Sequence, residues 1–309
     1  MTNKTAVVLG AGGLVGLGYH VGTIRALEEV GFDSRVADLI IGTSAGSIIG
    51  AYLRRGISME DLWVSTFGPE GEGIPNVLFP TFHTPLAGIR HGIGSAFVLL
   101  QSVGKFSLPP IPKRMQEMFP GGVVQMGSGA SRLERDLGSK WPDEKLWLVS
   151  QDLRSGKRVV IGKDPISEMS LHRAVRASAA IPGIYPPVKC GDMSLVDGGA
   201  SSTTHMDLAI QKGIKRIIVI APMAYDPAKP PAGPSKVLRS WPMKMLMKEL
   251  ALAKKAGIET HLFLPNAQMA RIQGINLMRA DVMIPMAEAA YQEATKYLAT
   301  IDLGSMPAA

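Results

Sequence analysis

Residues Leu39–Gly50 read LIIGTSAGSIIG, and the rest of the chain is arranged around this stretch. Leu39, Ile40 and Ile41 are an apolar run of the kind that ends a buried strand. Ile48, Ile49, Tyr52 and Leu53 then recur at i, i+1, i+4 and i+5, the spacing of a helix face. Between them, Gly42-Thr43-Ser44-Ala45-Gly46 fits G-x-S-x-G. That pattern describes a sharp strand-to-helix turn with the central serine hydroxyl held out at the edge of a sheet. A side chain at Gly42 or Gly46 would collide with the tightly turned backbone. A helix starting at Ala45 would set partial positive charge beside Ser44, where an oxyanion could develop. A plain Gly/Ser-rich turn is the alternative, and the flanking strand and helix argue against it.

Upstream, Thr5–Leu9 (TAVVL) reads as a first buried strand that runs into Gly10-Ala11-Gly12-Gly13-Leu14-Val15-Gly16. A helix follows, with Ile24, Leu27 and Val30 on its apolar face. Strand, glycine loop and helix is the geometry that points backbone N–H groups at an anion. A dinucleotide fingerprint competes with this reading. Its third glycine falls one place late, however, with Val15 in the slot, and neither Asp33 nor Asp38 is well set to hold a ribose.

Downstream, residues 66–112 are irregular, rich in Gly and Pro and studded with apolar side chains such as Phe79, Phe82 and Phe97. We expect a lid or cap inserted into the domain, with a helical pair packed on the core as the alternative. Lys145–Ser150 and Arg158–Gly162 read as strands joined by a turn, and Leu171–Ala180 as a helix stopped by Pro182. A strand at Ser194–Val196 ends in Asp197-Gly198-Gly199, which would bring a carboxylate to a sheet edge. The glycines also suit a simple turn. Further strands are expected at Lys215–Ala221 and Glu259–Leu264, and a closing helix at Val282–Ala299. Lys236–Lys255 is a basic, Met-rich amphipathic helix, either packed on the core with a solvated basic side or laid on an anionic membrane. Strands alternating with helices predict an α/β fold: three layers, α/β/α, with a mainly parallel central sheet. No break divides the sequence, so residues 1–309 read as a single domain.

A net charge of +7 suits an anionic surface. The basic residues are dispersed and no nucleic-acid motif is present, which favours lipid or lipid-like partners over nucleic acid. Cys190 is the only cysteine, so no intrachain disulfide can form and a reducing, cytoplasmic setting is expected. No uncharged apolar run reaches the ~18 residues of a membrane span, leaving peripheral membrane contact open.

Four stretches taken in order resemble the patatin-like phospholipase family. They are Gly10–Gly16, Gly42–Gly46, Ala177–Gly183 with Tyr185-Pro186-Pro187, and Asp197-Gly198-Gly199. The resemblance implies a lipid acyl hydrolase with a Ser–Asp dyad, Ser44 as nucleophile and Asp197 as base. Backbone N–H groups around Gly12 and Gly13 would form the oxyanion hole, with Gly10, Gly16, Gly42, Gly46, Gly198 and Gly199 as motif glycines. It implies no metal and no cofactor, and a lipid or acyl-ester substrate. Two departures stand out: Val15 occupies a position where the family commonly carries a basic residue, and His205 follows the D-G-G. Ser–His–Asp chemistry using His205 or His261 is the nearest alternative enzyme, and a lipid-binding scaffold without turnover is the non-enzymatic one.

Overall fold

The computed structural model describes residues 4–67, 71–73, 93, 126–301 and 303. Two compact units divide the chain: Met1–Gly73, Pro142–Trp147 and Ser202–Ala309 form one, and Ile74–Trp141 and Leu148–Ser201 the other.

The first unit is built on β1 (Lys4–Leu9), buried at every residue after Lys4. It pairs in parallel with β2 (Leu39–Thr43) on one side and with β7 (Ile214–Ile220) on the other. Beyond β7 lies β8 (Glu259–Phe263), also parallel. The strand order is therefore β2-β1-β7-β8. β2 is buried throughout and β7 over its last four residues, the pattern of parallel strands covered on both faces. Helix α1 (Gly13–Glu29) follows β1 and packs on the closing helix α8 (Met283–Leu298). The two backbones nearly touch: a Cβ on Gly18 would sit 2.4 Å from the Met283 carbonyl oxygen, and one on Gly22 2.0 Å from that of Ala287. Helices α2 (Ala45–Arg54), α3 (Met59–Phe67), α6 (Gly233–Lys255) and α7 (Ala267–Gln273) complete this unit. Arg54, buried at the end of α2, donates to the carbonyls of Arg35 (2.6 Å), Ala37 (2.7 Å) and Lys145 (2.9 Å) and so fixes the chain leading into β2.

Strand β3 (Leu146–Asp152) starts in the first unit and continues through the second, where it pairs antiparallel with β4 (Arg158–Ile161). β6 (Met193–Asp197) is antiparallel to β3 and to the short β5 (Val188–Cys190). Helices α4 (Ser128–Leu137) and α5 (Leu171–Ser178) belong here as well. The fold is α/β as expected, with parallel order in the first unit and antiparallel pairing in the second. Connection length explains the β3–β4 and β5–β6 pairs, since a parallel crossover needs a dozen or more residues. Only Gly191 and Asp192 separate β5 from β6, and Gly191 supplies the positive φ of 55° that so tight a turn requires.

Most of the expected insertion at 66–112 lies outside the described residues, as do His83 and His91. The basic helix begins at Gly233, earlier than expected, with Pro234 in its first turn, where a missing N–H costs nothing. Cys190 is a free, buried thiol, pushed above its usual pKa by desolvation.

Candidate active site

Ser44 is the turning point between β2 and α2. Its backbone adopts φ 55° and ψ −119°, and it is one of two described non-glycine residues with positive φ. Such a conformation costs on the order of 1–3 kcal/mol and persists only when its surroundings impose it. Here they do. Ser47 closes the turn by donating to the Ser44 carbonyl twice, through N–H at 2.9 Å and through Oγ at 2.6 Å. A Cβ on Gly42 would lie 2.6 Å from the Ser47 Cα, and one on Gly46 2.0 Å from the Leu9 carbonyl oxygen. Both motif glycines thus allow backbone contacts that any side chain would block, and Gly46 lets α2 lie directly on β1.

The glycine loop runs beside this turn. A Cβ on Gly16 would come 3.7 Å from the Cβ of Ala45, the residue after the serine. Loop amides at either end are already engaged: Gly10 donates to Ile220 (2.9 Å), Ala11 to Thr203 (2.8 Å) and Val15 to Leu277 (3.1 Å). The N–H groups of Gly12, Gly13 and Leu14, which open α1, find no protein acceptor among the described residues. Orphan donors at a helix start are ready-made anion ligands. Gly13 has φ 62°, a left-handed value suited to glycine, and a Cβ there would strike the Leu277 carbonyl at 2.6 Å. Val15 is fully buried, so no charged side chain stands at that position.

Two supports of this loop were not legible in the sequence. The first is His20 on α1, fully buried, whose Nε2 lies 2.8 Å from the Gly10 carbonyl oxygen. Burial holds the imidazole neutral, with its pKa lowered to about 4 by desolvation against a smaller opposing effect of that hydrogen bond. The second is Glu249 on α6. Its carboxylate accepts from Ser202 Oγ (2.6 Å), Thr204 Oγ1 (2.6 Å) and the Met206 N–H (2.8 Å). Desolvation raises the Glu249 carboxyl above its usual range, and those three hydrogen bonds pull against it. The segment it gathers includes Thr203, the acceptor for Ala11 in the glycine loop. Only a contact between distant stretches defines either support, and no local motif marks it.

Asp197 closes β6 in the second unit, 5% exposed, opposite Ser150 of β3. Its side chain accepts from the Gly199 N–H at 2.8 Å and caps the 3-10 turn Gly198–Ala200. Its own N–H donates to Ala180 at 2.9 Å. Gly198 is required by packing, because a Cβ would lie 2.5 Å from the Val149 carbonyl oxygen. The structure therefore brings Ser44 together with the glycine loop in one unit, and Asp197 with its glycines in the other.

Of the two candidate histidines, His261 sits in β8, three strands from β2 in the sheet order, roughly 14 Å at ordinary strand spacing. Its Nε2 is engaged at 2.8 Å by Glu259. His205 is buried in the left-handed region (φ 52°, ψ 34°), with its N–H on Ser202 Oγ at 3.2 Å.

Comparison with known proteins gives a match to the family model described as Patatin-like phospholipase over residues 7–210. Patatin-like phospholipase domain-containing protein 6 of Mus musculus is 30% identical over 225 residues, covering 71% of this chain and 13% of that protein. An uncharacterised NTE family protein of Mycobacterium tuberculosis is 27% identical over 196 residues, covering 62% of this chain and 26% of its own length. The chain thus spans only a small part of the curated relatives it matches. Among solved structures, VipD from Legionella pneumophila aligns with TM-score 0.44 and 13% identity, covering 96% of this chain and 67% of that one. The type III effector ExoU aligns with TM-score 0.43 and 13% identity, covering 96% and 53%.

Proposed function

We propose, for a chain that belongs to the patatin-like phospholipase family, that it is a serine acyl hydrolase acting on ester bonds of lipids. The observation that carries this reading is the strained backbone of Ser44 beside the uncommitted amides of Gly12 and Gly13. Ser44 Oγ attacks the ester carbonyl while its proton passes to the Asp197 carboxylate. The carbonyl oxygen becomes an oxyanion, held by the Gly12 and Gly13 N–H groups and by the positive end of α1. Collapse expels the alcohol, which takes the proton from Asp197, and leaves an acyl-serine. Water, deprotonated by Asp197, then attacks the acyl-serine, and the second collapse returns the proton to Ser44 and releases the fatty acid.

Thr203, whose carbonyl holds the glycine loop, lies only six residues along the chain from Asp197. The same proposal takes residues 1–309 as a single acyl-hydrolase domain. The uncharged Val15 suits a neutral lipid or short acyl ester at least as well as a phosphate headgroup. A cytoplasmic setting belongs to the same proposal.

Turnover of a panel of p-nitrophenyl esters and phospholipids tests it with Ser44→Ala, Asp197→Asn and His205→Ala. The first two should lose activity by at least a thousandfold. His205→Ala should keep most of it. Loss of turnover in a folded His205→Ala protein, with Asp197→Asn active, would replace the dyad with Ser–His chemistry.

A further inference from the structure

Helix α6 (Gly233–Lys255) turns two very different faces outward and inward. Inward, its two anchors are Arg239 and Glu249. Arg239 is fully buried and donates to Ser235 Oγ (2.6 Å), to Gln273 Oε1 and to the Gly274 carbonyl (3.4 Å). This ties the N-terminal half of α6 to the end of α7. Glu249 holds the segment carrying Thr203. Outward, the helix exposes Val237 (77%), Leu238, Trp241 (40%), Met247 and Leu252 (52%). Interleaved with them are the exposed lysines Lys236, Lys244, Lys248, Lys254 and Lys255. Glu249 is the only acidic residue in the helix and it faces inward, so the solvent face carries five positive charges and no carboxylate.

A further exposed apolar side chain stands on the segment that follows α7. The residue after the Arg239-bound Gly274 is Ile275, 66% exposed. Two residues further on, the Leu277 carbonyl accepts from Val15 and packs against Gly13 of the glycine loop. The segment that Arg239 ties to α6 thus carries an exposed Ile275 and, two residues on, a carbonyl seated on the glycine loop.

We propose that the solvent face of α6, with Ile275, docks the protein on an anionic lipid bilayer and seats the glycine loop at the lipid surface. Lysines alternate with the apolar side chains, whereas the buried core of a protein interface is depleted in Lys. Lysine stems can lie along lipid while their ammonium groups reach the headgroups, and a Trp flanked by them suits the interface zone. No helix among the described residues is long and apolar enough to cross a membrane, so α6 would lie in the plane of the surface. The proposal goes beyond the hydrolase reading and stands whether or not Ser44 reacts.

Flotation of the full chain with vesicles tests it, comparing pure phosphatidylcholine with a mixture containing phosphatidylglycerol. Binding to the anionic vesicles should exceed that to phosphatidylcholine by at least about tenfold and weaken as salt is raised. Bound protein should show a blue shift of tryptophan emission that Trp241→Phe removes. Lys244→Glu with Lys248→Glu should cut binding about tenfold or more while leaving the melting temperature unchanged, since both side chains are exposed. Equal binding to both vesicles, no binding to either, or wild-type binding by the double variant would overturn the proposal. So would binding that leaves Trp241 in water, or a lipid-free dimer that buries it. Failure of the hydrolase reading would show separately, as absent ester turnover alongside intact vesicle binding.

Discussion

At the scale of single residues, the site rests on groups held in states they would not choose in isolation. Ser44 carries backbone strain that glycine would not feel. Ser44→Gly should therefore abolish turnover yet raise stability by about 1 kcal/mol in urea unfolding, whereas Ser44→Ala should abolish turnover without that gain. His20 is held neutral. Its imidazole takes up a proton near pH 6.5 when unfolded but only at about 4 when folded, so the unfolded state binds more protons between those values. Stability contributed by the neutral ring is complete above pH 6.5 and is lost as pH falls toward 4, by about 3 kcal/mol. Unfolding free energies measured across that window should show this slope in the wild type and its absence in His20→Gln. The turn at Ser44 was legible in the sequence because its neighbours announce it: glycines at 42 and 46, with an apolar run before them and a helix face after them. His20 was not, because a histidine on a helix face looks the same whether it meets solvent or a buried carbonyl.

At the scale of elements, close backbone approach decides how the site is assembled. Gly46 and Gly22 each leave no room for a methyl group, with carbonyl oxygens 2.0 Å from the Cβ position. Gly46→Ala should push α2 off β1 and cost activity, while Gly22→Ala should separate α1 from α8. Each should lower stability by about 1–3 kcal/mol or more, read as a drop in urea midpoint. The Glu249 clamp works at longer range. Glu249→Gln removes a charge that accepts three hydrogen bonds and should cost about 2–4 kcal/mol. As a positioning residue it should lower kcat about tenfold or more with little change in KM, because the loosened segment carries the acceptor for Ala11. The strands β1, β2, β7 and β8 were readable from their apolar runs. The antiparallel sense of β4, β5 and β6 depends on connection length and pairing partner, which an apolar run does not reveal. Helix α4 offers only Leu133 and Leu137 as buried positions and α7 spans 7 residues, so neither is long enough for an apolar period to stand out.

At the scale of the whole molecule, four short motifs in order identified the α/β family from the sequence, and the family match over residues 7–210 agrees. Single motifs were ambiguous, since a glycine loop also suits a dinucleotide and a D-G-G also suits a turn. Order and spacing removed that ambiguity. The sequence left the basic helix undecided between a core face and a membrane face. The structure gives it a core face, with Arg239 and Glu249 turned in, and a solvent face on which the lysines stand.

The central claim is that Ser44 is the nucleophile, activated by Asp197. Brief exposure to a fluorophosphonate, followed by peptide mass spectrometry, reads that chemistry directly. The account predicts one phosphonyl adduct per chain, on Ser44, formed much more slowly in Asp197→Asn and absent in Ser44→Ala. An adduct on another residue, or none on a folded protein, would contradict it.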